Sequence, residues 1–309
     1  MYQPPLTLIV WPVVYKRAGP IERTLTMMRL TMHTDNWRCL SGSLEQAVRA
    51  AKRFGLEYIE FGVVDGQDFI QGLGYSPAVS LDSNPVRLRR YLDSQGLRPS
   101  QIDAAYPITG PLGATFGVRY VQRAIQFAAA IGCPFVDTTD GQFKPEGYSD
   151  DEVLAITREN YRQILEWAED YKVTVNIETH GPYTTNPDLL DRMLHFFDTP
   201  YLRLNLDTGN TFIAGASPVD FLKRFLPKLS YMHIKDVSPS LAAALRGEET
   251  GIATSESAIG QGANAENIRT CIRLLKEARW DGFLSVECLG TEENLSASLA
   301  WLRREIGAA

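Results

Sequence analysis

From residue 29 to residue 305, short apolar runs alternate with segments whose apolar positions recur every three to four residues. The runs at 29–33, 58–61, 101–105, 135–139, 174–178, 202–207, 229–235 and 282–287 read as strands. The segments at 43–54, 85–95, 116–131, 150–171, 187–197, 218–225, 265–278 and 292–305 read as amphipathic helices. In the first helix Leu44, Val48, Ala51 and Phe54 share one face, and Gly55 stops it. Pro85 opens the second helix, and Asp150, Asp151 and Glu152 open the fourth, where the helix dipole favours acids. A regular strand–helix alternation predicts a parallel sheet with right-handed crossovers, and eight such units close a (β/α)8 barrel. The expected class is therefore α/β: a single (β/α)8 TIM barrel over residues 28–309 behind an N-terminal extension over residues 1–27. A doubly wound open sheet is the alternative. It favours a glycine-rich phosphate loop after strand one, where this chain has Thr34, Asp35, Asn36 and Trp37. Gly260 and Gly262 form a GxG that lacks the rest of the dinucleotide fingerprint.

Composition narrows the picture. With 309 residues, 44% hydrophobic and 22% charged, the chain has ample material for one large core. A net charge of −6 without a basic stripe argues against a nucleic-acid surface. Cys39, Cys133, Cys271 and Cys288 are scattered, the pattern of reduced thiols in a cytoplasmic protein. No apolar run reaches the roughly 18 residues of a membrane span. The apolar stretch at 6–15 precedes Lys16 and Arg17, the reverse of a secretory signal. Two long loops, at 62–84 and 237–264, are expected to leave the catalytic face, and Phe69 and Tyr75 in the first either anchor it or stack on a ring. His195, beside Phe196 and Phe197 within a helical segment, is assigned to packing.

Barrel enzymes carry their chemistry at the C-terminal strand ends. Four consecutive strands here end in Glu178, Asp207, His233 and Glu287. Three carboxylates and one imidazole suit one divalent cation, with Mn2+ foremost and Mg2+ or Co2+ as alternatives, better than a structural zinc. Three acids against two positive charges would leave the site net negative, which fits a neutral polyol. Other strand-end groups are candidate substrate contacts: His33, Glu60, Asp140, Asn210 and Lys235, with Asp103 and Asp137 as further acids. His180 follows Glu178 by two residues and is a candidate acid/base or an orienter of Glu178.

The runs 177–180 (Ile-Glu-Thr-His), 206–210 (Leu-Asp-Thr-Gly-Asn), 232–236 (Met-His-Ile-Lys-Asp) and 286–288 (Val-Glu-Cys) resemble the xylose-isomerase-like TIM-barrel superfamily over about residues 28–305. Within it they are similar to the sugar phosphate isomerase/epimerase group, with its tagatose/psicose 3-epimerases and inosose isomerases and dehydratases. The resemblance implies that Glu178, Asp207, His233 and Glu287 bind one divalent metal and that the two glutamates are also the acid/base pair. The expected reaction is isomerisation or epimerisation of a sugar or keto-sugar by proton transfer next to a carbonyl. One base removes the carbon-bound proton, one acid returns it, and the metal stabilises the enediolate.

The chain departs from the ketohexose epimerases. Asn210 stands where they have a second histidine, and Pro239 lies where they have an arginine. A lyase on the same scaffold is therefore the alternative, either an inosose-type dehydratase or a barrel subunit of the C-glycoside deglycosidase kind, which cleaves 3-keto-glycosides. The expected partners are a small sugar substrate and a second copy of the chain, or a small partner subunit for the lyase. An endonuclease IV-type phosphodiesterase would need more metal ligands and a basic face. A non-catalytic scaffold would bind no metal.

Overall fold

The computed structural model describes residues 28–40, 42–65, 78–247, 256–288 and 291–307. The extension at 1–27 and the aromatics Phe69 and Tyr75 lie outside them. Among the described residues there are nine strands: β1 Arg29–Met32, β2 Tyr58–Val64, β3 Val79–Ser80, β4 Arg98–Pro107, β5 Phe135–Thr139, β6 Thr174–Glu178, β7 Leu202–Asp207, β8 Leu229–Ile234 and β9 Phe283–Val286. All pairings are parallel, in the order β1-β9-β8-β7-β6-β5-β4-β2-β3. A parallel bridge between His33 and Glu60 brings the end of β1 onto β2 and closes a ring of eight. The ninth strand, β3, is a two-residue addition on Val63 and Val64 of β2. The (β/α)8 expectation holds, but part of the stretch expected as a loop from residue 62 is strand.

The helices are α1 Leu44–Arg53, α2 Pro85–Gln95, α3 Gly110–Leu112, α4 Val118–Ile131, α5 Asp150–Tyr171, α6 Pro187–Leu194, α7 Thr208–Ile213, α8 Pro218–Phe225, α9 Pro239–Leu245, α10 Ala265–Glu277 and α11 Glu292–Ile306. Local chemistry sets their ends. Ser43 with Gln46, and Ser149 with Glu152, form reciprocal capping boxes. Gly96, Gly132 and Gly307 end α2, α4 and α11 in the left-handed conformation. His195 is not packed as expected: it caps the end of α6, with its side chain 60% exposed and 3.2 Å from Asp191. Among the described residues no helix is long and apolar enough to cross a membrane.

The strands explain how the site is delivered. Val175 and Ile177, Leu204 and Leu206, Met232 and Ile234, and Leu284 and Val286 all join the main hydrophobic core. They alternate with Asn176 and Glu178, Asn205 and Asp207, Tyr231 and His233, and Ser285 and Glu287. Side chains two apart share a face of a strand, so the second set lines the barrel interior. Hydrogen bonds across the ring agree: Ser100 of β4 meets Tyr231 of β8 (2.9 Å) and Thr31 of β1 (3.0 Å). Each candidate ligand therefore stands one layer above a buried polar residue on the same strand.

Candidate metal centre

The four strand-end groups converge. Glu178, Asp207, His233 and Glu287 each offer one ligand atom, and these atoms all lie within 4.8 Å of one another. His233 Nδ1 is the hub, 2.9 Å from Glu178 Oε1, 3.2 Å from Glu287 Oε2 and 4.0 Å from Asp207 Oδ2. One ring nitrogen brings at most one hydrogen, and Glu178 takes the aligned position. Glu287 Oε2 is buried without a hydrogen bond, and Asp207 Oδ2 faces only the Lys235 ammonium. Buried carboxylate oxygens that converge on one point with fewer donors than they can accept are what a cation would satisfy, so the donor set fits a divalent ion. Asp207 has a second use: its Oδ1 accepts from the Gly209 and Asn210 amides (2.7 and 2.8 Å) and caps α7, which leaves Oδ2 for the cluster.

Lys235 changes the charge balance expected from sequence. Its ammonium is buried, 3.0 Å from Asp207 Oδ2 and 2.9 Å from Glu287 Oε1, and it donates to Asn210 Oδ1 at 3.3 Å. With a divalent cation, three carboxylates and one ammonium sum to zero, not to the net negative charge expected. Gly209 makes room for this lysine, because a Cβ there would come within 2.7 Å of the Lys235 stem. Burial opposes the charge on Lys235, but Asp207 and Glu287 outweigh it and hold its pKa above the ordinary lysine value. Burial pushes the Asp207 carboxyl up to about 6, with Lys235 pulling the other way. Burial acts against Glu287 as well, yet Lys235 and His233 keep it well below the usual carboxylate range.

The five expected substrate contacts are placed differently. His33, Glu60, Asp140, Asn210 and Lys235 are each no more than 6% exposed, and each is engaged by the protein. Glu60 lies mid-strand because β2 runs on to Val64. It accepts from Gln101 Nε2 (2.8 Å) and Tyr231 Oη (3.0 Å) and lies 2.8 Å from His233 Nε2. Burial would raise its pKa, but His233 and His33 bring it down to about 2. His33 Nδ1 accepts from the Asp35 amide (2.9 Å), and its Nε2 lies 3.4 Å from Asp103 Oδ2.

Asp140 organises a loop. It accepts from the Gly181 (2.6 Å), Tyr183 (2.7 Å) and Thr184 (3.0 Å) amides and from Thr184 Oγ1 (2.9 Å), and so fixes the turn that carries His180. His180 is half-buried, and its Nδ1 has no hydrogen-bond partner. Asp236 does the same for the loop before α10. The Val237 (2.8 Å), Gly260 (2.9 Å), Gly262 (2.9 Å) and Asn264 (2.9 Å) amides all donate to it. The GxG at 260–262 is therefore a cradle for a buried carboxylate, and a Cβ on Gly262 would meet Asp236 Oδ1 at 2.3 Å.

The Glu287 and Asp103 side chains stay partly open, at 17% and 16%, as does His180. Sequence reasoning missed the supporting layer of Gln101, Asn205 and Tyr231. For Asn205 and Tyr231 the signal was a polar residue two positions before a ligand.

The chain was compared with known proteins. The family model described as xylose isomerase-like TIM barrel matches residues 48–305. An inosose dehydratase of Clostridium botulinum (strain Eklund 17B / Type B) is 22% identical over 102 residues, 32% of this chain and 34% of that protein. The chain thus spans about a third of the length of the curated relative it matches. Among solved structures, the IolI protein with a bound zinc atom superposes with a TM-score of 0.71 at 17% identity, covering 91% of this chain and 98% of that one. A D-tagatose 3-epimerase-like protein gives 0.70 at 18% identity, covering 91% and 97%. These structural likenesses establish a shared fold. With the strand-end cluster in place and the family model matched over most of its length, the chain belongs to the xylose isomerase-like TIM-barrel family.

Proposed function

We propose that this protein is a divalent-metal-dependent isomerase or epimerase of a keto-sugar or cyclitol, acting by proton transfer next to a carbonyl. The observation that carries the reading is the pair Glu178 and Glu287. They come from β6 and the end of β9, yet lie 2.9 and 3.2 Å from the same nitrogen of His233. Two carboxylates flanking one centre are what inversion or shift of a carbon-bound proton requires, one to remove it and one to return it. A bound divalent cation, held by Glu178, Asp207, His233 and Glu287, would supply Lewis-acid polarisation of the carbonyl. Mn2+ suits this oxygen-rich set, and the zinc atom bound by the IolI protein, which shares the fold, supports a metal-binding reading.

Lys235 and His233 hold Glu287 ionised, the form that binds a cation and that a base must have before it takes a proton. The Lys235 ammonium brings the loaded site to neutrality, so the negative charge that develops on the substrate meets no excess of carboxylate charge. His180, two residues after Glu178 on a turn held by Asp140, is a further candidate acid/base.

Similarity to an inosose dehydratase favours a second reading, in which the first proton removal is followed by loss of a hydroxyl as water. One experiment separates the two. The Mn2+-loaded protein is incubated with keto-sugars and inososes in D2O. Deuterium on carbon without loss of water supports the epimerase or isomerase, and release of water supports the dehydratase. If wild type exchanges no carbon-bound proton in any of them, both readings fail. Glu287→Gln should abolish exchange.

A further inference from the structure

We infer that Glu60 is a positioning residue that selects which ring nitrogen His233 turns toward the carboxylate cluster. The inference rests on the reading of that cluster as a divalent-cation site. Glu60 belongs to β2, across the barrel from the strands that bring the cluster together, and it is fully buried. Its carboxylate is surrounded by donors: Gln101 Nε2 at 2.8 Å and Tyr231 Oη at 3.0 Å. An ionised carboxylate only accepts hydrogen bonds. The remaining neighbour, His233 Nε2 at 2.8 Å, therefore carries a ring hydrogen. A bound cation would displace the hydrogen that Glu178 accepts from Nδ1, so Nδ1, the nitrogen facing Glu178, Glu287 and Asp207, is the one whose lone pair a cation would take.

The ring is held in two further ways. The His233 amide donates to Asn205 Oδ1 at 3.1 Å, and Asn205 Nδ2 donates to Asp137 Oδ2 at 2.8 Å. His33 stacks edge-on against the ring, with centroids 5.6 Å apart. The side of the ring remote from the cluster is therefore fully determined by protein groups, and Glu60 alone among these partners touches a ring nitrogen. A buried carboxylate is a costly way to fill a barrel, and an apolar side chain of similar size would be cheaper. Its placement against Nε2 supplies the reason it is there: a carboxylate behind a ligating imidazole fixes tautomer and orientation and strengthens the ligand.

The test uses the full-length protein, its four histidines selectively 15N-labelled. Mn2+ affinity is measured from the free-ion EPR signal for wild type and Glu60→Gln, and the variant should bind roughly 10- to 100-fold more weakly. In the Zn2+-loaded wild type, long-range 1H–15N spectra should show His233 bound through Nδ1 with Nε2 protonated, and Glu60→Gln should lose that pattern. Wild type that binds no Mn2+ would overturn the cluster reading and this inference with it. Wild type that binds, with Glu60→Gln equal to it within twofold and an unchanged His233 pattern, overturns this inference alone. If Glu60→Gln does not fold, the wild-type spectrum still decides: metal on Nε2 with hydrogen on Nδ1 refutes the assignment.

Discussion

Lys235→Met removes an ammonium that lies 3.0 Å from Asp207 and 2.9 Å from Glu287 without changing side-chain volume much. Both partners stay behind as buried or nearly buried carboxylates beside Glu178. Breaking a buried pair by deleting one partner costs about 3–5 kcal/mol, which for a barrel of this size corresponds to roughly 6–10 °C in Tm. The cost is capped because Asp207, already pushed to about 6, can take up a proton once Lys235 no longer opposes it. A divalent cation would supply the missing positive charge and would no longer share the two carboxylates with an ammonium. The assay is thermal unfolding of wild type and Lys235→Met, each in EDTA and in excess Mn2+. The variant should unfold at lower temperature in EDTA and show the larger rise with Mn2+, closing most of the gap. A variant as stable as wild type in EDTA would refute the neutralising role of the lysine. An equal Mn2+ shift in both proteins would refute the claim that cation and ammonium share Asp207 and Glu287.

Asp236→Asn should cost about 2–4 kcal/mol, since four amides lose a charged acceptor, and hydrogen exchange should rise first at residues 258–264. Asp140→Asn should loosen the turn at 181–184 and lower kcat more than KM, through His180, while the Mn2+ affinity of the cluster stays within about threefold of wild type. Gly209→Ala should displace the Lys235 stem, reproducing in EDTA part of the destabilisation seen in Lys235→Met. Burial raises the thiols of Cys133, Cys271 and Cys288, the last two to about 12 and about 11, so in the native protein at pH 8 all three should resist iodoacetamide and react only after denaturation, as read by peptide mass spectrometry.

The sequence by itself determined the barrel and the four residues that meet at its mouth. Helix period, capping residues and apolar runs are local quantities, and a parallel strand buried on both faces announces itself as an apolar run. The ligands were legible because each one breaks such a run at its C-terminal end. What the residues below and beside them do was decided only by the tertiary structure. Tyr58–Val64 extends three residues past the expected end of strand two, because pairing with β3 continues it, and this lowers Glu60 from the mouth into the barrel against His233, 173 residues away. Lys235 looked like a substrate contact until Asp207 and Glu287 were seen on either side of it. Asp140 looked like a strand-end acid, and its backbone donors come from a loop about 40 residues distant. The physical reason is common to all of them. The charge of a side chain is written in its own residue, but the groups that satisfy it in a buried site arrive from other strands, and their arrival depends on strand length and register, which local pattern specifies only to within a few residues.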